Sequence, residues 1–187
     1  MAMKDTVAVV SRMEADGVFG RYAIGGAVAA FLYIEVSYTE DLDILISFEK
    51  QRGRSGLITL GPVFDYLKEK GFTEFNKEGI VVHGWPVQFL PVATALDEEG
   101  LREAVIVELP TNETTIPCRI LRAEHLMATA LTVGRPKDHI RLTQFIEAGK
   151  YDKQYLCEVL ERHGLIEAWG AFCEKHGVGE PCSVIRP

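Results

Sequence analysis

The sequence predicts an α/β fold of the α+β kind, with a mixed, mostly antiparallel sheet backed by helices and followed by a C-terminal helical bundle. Three observations predict it. The stretch Tyr22 to Phe48 reads as strand, glycine turn, helix and strand. From Phe72 onward, short apolar runs alternate with turn residues, the pattern of a strand meander. Beyond Ala123, apolar residues recur three and four positions apart, the period of amphipathic helices. At 187 residues and 47% hydrophobic, the chain is long enough to bury a core. Residues 1–122 read as that core and 123–187 as a helical region.

Asp5 is placed to cap a first helix on which Val7, Val10 and Met13 recur, and Gly17 ends it. A strand from Arg21 to Ile24 then enters Gly25-Gly26. A glycine pair between strand and helix lets the backbone approach a ligand closely and aims N–H groups, with the helix dipole behind them, at an anion such as a phosphate. Ala27, Ala29 and Ala30 suit a helix lying close to strands. Asp41 and Asp43 bracket Leu42 at the head of the next apolar run, so on a strand they share one face while Leu42, Ile44 and Ile46 take the other. Like charges that close repel unless a cation neutralises them, and oxygen-only ligands select magnesium or manganese. Thr39 is positioned to hydrogen-bond a carboxylate and orient it. Alone, each feature reads as an ordinary turn or strand start. Together they read as a site.

The segment EKQRGRSG carries Lys50, Arg52 and Arg54 and reads as a solvated loop. Leu60 to Lys70 has helical spacing through Val63, Phe64 and Leu67 and stops at Gly71. Strands follow at Thr73 to Phe75, Ile80 to His83 and Pro86 to Val92, with turns at Asn76 to Gly79 and at Gly84-Trp85. Asp97 to Arg102 makes a short polar helical turn, and Val105 to Leu109 pairs with Thr115 to Leu121 around Pro110-Thr111-Asn112. Ala123 to Thr132 is helical, and a second helix opens at Pro136 with Leu142, Phe145 and Ile146 on its apolar face. Asp152 to Gly177 forms two more helices, with Leu156, Val159 and Leu160 on one and Ile166, Trp169, Phe172 and Cys173 on the other.

Ile24-Gly25-Gly26 followed by Thr39-x-Asp41-x-Asp43-Ile44, with fifteen positions from Gly26 to Asp41, resembles the signature of the DNA polymerase beta-like nucleotidyltransferase superfamily. Within it the chain looks most like the small AbiEii-type group, which includes toxins of toxin–antitoxin systems. The resemblance spans roughly residues 5–148, and only the block from Tyr22 to Phe48 is specific. It implies a nucleotidyltransferase fold in which Gly25 and Gly26 hold a nucleoside triphosphate and Asp41 and Asp43 hold Mg2+ or Mn2+. A nucleotidyl group would pass to an acceptor that is an RNA such as tRNA, a protein or a small molecule. A cognate antitoxin is the implied partner of a toxin of this kind. Glu124 and the stretch Arg135, Lys137, Asp138 are also similar to the small members, and Arg135 and Lys137 would balance triphosphate charge. Three positions depart. Gln88 stands where a third metal-binding carboxylate is common, Ala130 where a lysine is, and Ser37 where an arginine is. They favour the alternative, a catalytically lapsed nucleotide-binding or partner-binding protein of the same fold.

Composition excludes several classes. A net charge of −7 argues against broad adhesion to nucleic acid. No apolar run approaches the ~20 residues of a membrane span, and the first residues lack a signal-like apolar stretch, so the expectation is a cytoplasmic protein. The four cysteines form no C-x-x-C pair and are expected to be reduced, and the five histidines lie at no metal-ligand spacing. A dinucleotide or P-loop site is excluded by the absence of G-x-G-x-x-G and of Gly-Lys-Ser/Thr after Gly20-x-x-x-x-Gly25.

Overall fold

The computed structural model describes residues 3–35, 39–48, 59–110, 115–179 and 182. Ser37, the loop with Lys50, Arg52 and Arg54, and the turn at Thr111-Asn112 lie outside the described residues. The chain divides into two compact units, one of Met1–Ala29 with Ser37–Leu121 and one of Ala30–Val36 with Arg122–Pro187.

The first unit is built on one sheet of seven strands: β1 (Tyr22–Ile24), β2 (Leu42–Ile46), β3 (Phe75–Asn76), β4 (Gly79–Val82), β5 (Trp85–Pro91), β6 (Val105–Pro110) and β7 (Thr115–Ile120). Their order is β3-β4-β5-β2-β1-β7-β6. The pairs β1·β2, β3·β4, β4·β5 and β6·β7 are antiparallel, while β1·β7 and β2·β5 are parallel. The sheet is thus mixed and mostly antiparallel. The meander read from sequence is β3-β4-β5, and the parallel join of β5 to β2 carries it onto the strand that holds Asp43.

Alternation explains the central strand. Leu42, Ile44 and Ile46 are fully buried, as are Ala23 and Ile24 beside them on β1. Helix α1 (Met3–Ala15) buries Thr6, Val7, Val10 and Met13, one stripe at helical spacing. Thr6 Oγ1 donates to the Val82 carbonyl at 2.9 Å, which fixes α1 on β4. The helix begins at Met3, so Asp5 lies in its first turn instead of capping it; there its carboxylate still favours the N-terminal dipole. Helix α2 (Gly26–Ala30) is only five residues long, and α3 (Gly61–Glu69) buries Val63 and Leu67.

Turn chemistry shifts two boundaries. The β4–β5 turn is His83-Gly84, not Gly84-Trp85; both residues have positive φ (+49° and +84°), as a tight hairpin following the sheet twist requires, and Trp85 is left to pair with Val82. Helix α4 (Ala95–Arg102) starts two residues before the expected Asp97. Thr94 Oγ1 accepts from the Asp97 amide at 3.1 Å, and Asp97 Oδ2 accepts from the Thr94 amide at 2.9 Å. That reciprocal cap sets the start.

The second unit holds α5 (Ala123–Val133), α6 (Pro136–Ala148), α7 (Lys153–Arg162) and α8 (Ile166–His176). Leu142, Phe145, Leu156, Val159, Leu160, Trp169 and Phe172 form its core, with the Trp169 and Phe172 rings stacked 5.7 Å apart. Glu124 is buried, and its Oε1 accepts from the Asp152 amide at 2.7 Å, while Asp152 in turn accepts from the Tyr155 amide at the start of α7. The expectation of four reduced cysteines is overturned. Cys157 and Cys182 form a disulfide with Cα atoms 5.5 Å apart, whereas Cys118 and Cys173 are buried and not disulfide-bonded. The bonded pair is 25 residues apart in sequence, so it leaves no local motif. Among the described residues, no helix is long and apolar enough to cross a membrane.

Candidate functional site

The two glycines do different things. Gly25 donates its N–H to the Asp43 carbonyl at 2.9 Å, so its amide is engaged in holding β1 to β2. Its φ is not positive, and a Cβ there would meet Leu121 Cδ1 at 3.4 Å, ordinary contact. Gly26 has φ +56°, and a Cβ on it would overlap Asp43 Oδ2 and lie 2.8 Å from Asp43 Cγ. The Asp43 carboxylate therefore rests directly on the Gly26 backbone, in space that any side chain would fill. The Ala29 amide closes the first turn of α2 on the Gly25 carbonyl at 3.1 Å. A helix start of this kind leaves the N–H groups of Gly26, Ala27 and Val28 without an intrahelical acceptor. Five residues make a short dipole, so any attraction for an anion comes from those N–H groups.

Asp43 lies within β2, half-buried, whereas Asp41 precedes the strand and is exposed. Thr39 Oγ1 donates to Asp41 Oδ1 at 3.1 Å and sits equally far from the Asp41 carbonyl, which ties that carboxylate to its own turn. In the parallel β2·β5 register Asp43 is the partner of Gln88, so their side chains stand on the same face of the sheet. Gln88 Nε2 donates to Glu78 Oε2 at 2.7 Å. Glu78 belongs to the β3–β4 turn, where Lys77 has φ +55° and its Nζ lies 2.9 Å from Glu40 Oε2, one residue before Asp41. In the sequence, Asn76 to Gly79 reads as a turn and no more. An acidic residue in a two-residue hairpin carries no periodic signal, and only the strand register shows which side chain it meets.

Arg135 and Lys137 belong to the second unit, at the start of α6. Arg135 Nε and Nη2 donate to Asp138 at 2.7 and 3.2 Å, and the Asp138 carboxylate accepts from the Arg135 amide at 3.1 Å. Burial pushes the Asp138 carboxyl up, but the hydrogen bonds and charge of Arg135, with Arg141 nearby, hold it below its ordinary value. Lys137 is exposed, and Ala130 is buried in α5.

The oxygen donors suit a hard divalent cation: the carboxylate of Asp43 and the amide oxygen of Gln88 on the sheet face and the carboxylate of Asp41 just before the strand, with no sulfur or imidazole among them. Among the described residues no three His, Cys, Asp or Glu side chains converge as a metal cage. Mg2+ or Mn2+ would rest on the two aspartates and depend on substrate oxygens for the rest of its shell.

No family model matches the chain, and no curated protein matches it. Solved structures do. An antigenic nucleotidyltransferase-like protein from Paracoccidioides brasiliensis is 15% identical, with a TM-score of 0.51 over 99% of this chain and 98% of that one. The crystal structure of ANT(2")-Ia in complex with adenylyl-2"-tobramycin is 15% identical, with a TM-score of 0.41 over 91% of this chain and 98% of that one. The solution structure of the antibiotic-resistance factor ANT(2'')-Ia is 16% identical, with a TM-score of 0.43 over 94% of each chain. The first of these, matched along nearly its whole length, establishes a nucleotidyltransferase-like fold.

Proposed function

We propose that the chain moves a nucleotidyl group from a nucleoside triphosphate to an acceptor hydroxyl, with Mg2+ or Mn2+ held by Asp41 and Asp43. One observation carries this reading: the Asp43 carboxylate is seated on Gly26, so a turn suited to phosphate and a carboxylate suited to a cation form one surface. In the reaction the acceptor hydroxyl gives up its proton to solvent as its oxygen bonds to the α-phosphorus, the bond from that phosphorus to the bridging oxygen breaks, and pyrophosphate leaves. A divalent cation, when bound, supplies positive charge against the α-phosphate. The chain's own part is placement. Gly26, Ala27 and Val28 offer N–H groups to phosphate oxygens, Asp43 is fixed by the sheet, and Thr39 orients Asp41.

We further assign the chain to the AbiEii-type group, on the spacing from Ile24 to Ile44. In that assignment expression arrests growth, and a cognate antitoxin relieves it. A second reading, a nucleotide-binding protein that has lost catalysis, is favoured by the neutral Gln88 beside Asp43.

The test is incubation with each α-labelled nucleoside triphosphate, Mg2+ or Mn2+, and total RNA, the protein itself or a panel of hydroxylated small molecules. The reading requires label on an acceptor with wild type and none with Asp43→Asn. Nucleotide binding without transfer would support the lapsed enzyme. Neither binding nor transfer would overturn both.

A further inference from the structure

Resting on that nucleotidyltransferase reading, we infer that Gln88 is the third protein oxygen of the cation site and that Glu78 is the positioning residue that turns its amide oxygen to that task. The argument starts from what each group can do. An ionised carboxylate only accepts hydrogen bonds, so the end of the Gln88 amide that meets Glu78 has to be the NH2 group. The 2.7 Å contact between Gln88 Nε2 and Glu78 Oε2 has that sense. It leaves the carbonyl Oε1 as the end of the amide that Glu78 does not engage. A glutamine carbonyl is an ordinary ligand for a hard cation, and a negative partner on its NH2 group polarises it toward greater charge on Oε1. Glu78 thereby returns part of the negative character that a carboxylate at position 88 would bring.

Placement supports the assignment independently. Gln88 is the register partner of Asp43, so its side chain starts from the same face as the carboxylate resting on Gly26. The turn that bears Glu78 is tied toward the same end of the sheet by the Lys77–Glu40 pair at 2.9 Å. Lys77 holds a left-handed φ of +55°, uncommon for a lysine, so the turn keeps its shape against a local preference. Among the described residues no third acidic side chain joins Asp41 and Asp43 directly. Glu78 therefore acts through Gln88.

The experiment measures Mn2+ affinity by electron paramagnetic resonance, alone and with each of the four α,β-methylene nucleoside triphosphates, for the full chain. The variants are Glu78→Ala, Gln88→Leu, the double variant, and Asp43→Asn. The inference expects Glu78→Ala and Gln88→Leu each to weaken Mn2+ binding in the nucleotide complex about tenfold, and the double variant to be no weaker than Gln88→Leu alone. Unchanged affinity in Glu78→Ala overturns it. So do losses that add in the double variant, because a charge acting across space does not need the amide. Asp43→Asn separates the two levels. If it abolishes binding while Glu78→Ala does nothing, the inference fails and the cation site stands. If it changes nothing, or wild type binds no Mn2+ with any nucleotide, both fall.

Discussion

Gly25→Ala and Gly26→Ala, adjacent and chemically identical changes, should have opposite outcomes. At Gly25 the added methyl meets Leu121 Cδ1 at 3.4 Å and the Asp43 carbonyl at 4.0 Å, so it fits. The change should shift stability by less than about 1 kcal/mol and leave ligand binding within about twofold. At Gly26 the backbone is left-handed, at φ +56°, which costs an L-residue about 1–2 kcal/mol. The methyl also overlaps Asp43 Oδ2 and lies 2.8 Å from Cγ and 3.0 Å from Cβ, too close for a rotation of the terminal oxygens alone to relieve. The Asp43 side chain has to move by something on the order of 1 Å, and a misplacement of that size costs about 100-fold in rate. A protein of ordinary stability, about 5–15 kcal/mol, survives the folding cost. Urea denaturation should therefore show Gly26→Ala folded but weaker, while a single-turnover transfer assay and a calorimetric titration of Mn2+ with nucleotide show the larger loss. If Gly26→Ala bound and reacted as wild type while Gly25→Ala did not, the contact between Asp43 and the glycine turn would not be functional.

Gln88→Asp should raise both Mg2+ affinity and transfer, because it adds negative charge in register with Asp43; an isothermal titration without nucleotide measures the first. Thr39→Val removes the hydroxyl that holds Asp41 Oδ1 and should weaken the cation about tenfold with no change in melting temperature. Asp138→Ala removes the cap and ion pair at the start of α6 and should cost about 1–2 kcal/mol in chemical denaturation. Asp138 is held below the ordinary carboxylate value, so it stabilises the fold above the unfolded value of about 3.9, and that contribution is lost as pH falls through the lower folded value. An acid titration should show the difference between wild type and Asp138→Ala shrinking below about pH 4. Reducing the Cys157–Cys182 bridge should destabilise by up to about 3.5 kcal/mol from the loop of 25 residues, read as a lower denaturation midpoint in phosphine reductant that Cys182→Ala reproduces without it.

The elements with strong periodicity were legible in the sequence. The stripe of Val7, Val10 and Met13, the alternation through Leu42, Ile44 and Ile46, and the helical faces with Leu142 and Phe145 each state their period within a few residues. Boundaries set by side-chain hydrogen bonds were harder to read. Thr94 and Asp97 form a capping pair that a purely apolar reading passes over, and Asp5, a cap by residue type, lies inside the first turn because the helix starts before it. The candidate site divides along the same line. Gly26, Asp41 and Asp43 are close in sequence and stand out by residue type, whereas Glu78 reaches Gln88 through a strand pairing that no local pattern encodes. The Cys157–Cys182 bond is illegible for a related reason: Cys157 lies in α7, Cys182 lies beyond the end of α8, and no spacing motif links them.

Strand β2 is fourth of the seven in the sheet, hydrogen-bonded on both sides, and Asp43 lies within it while Asp41 lies just before it. Amide hydrogens in such a strand exchange with solvent only when the whole sheet opens, whereas those of an exposed turn exchange through local fluctuations. The two aspartates thus belong to different kinetic regimes. A ligand closing on the pair meets one carboxylate whose coordinates are fixed before it arrives and a second that it has to recruit from a turn held by Thr39. Deuterium uptake should slow around Thr39 to Asp41 on addition of Mn2+ and nucleotide, and stay unchanged from Leu42 to Ile46.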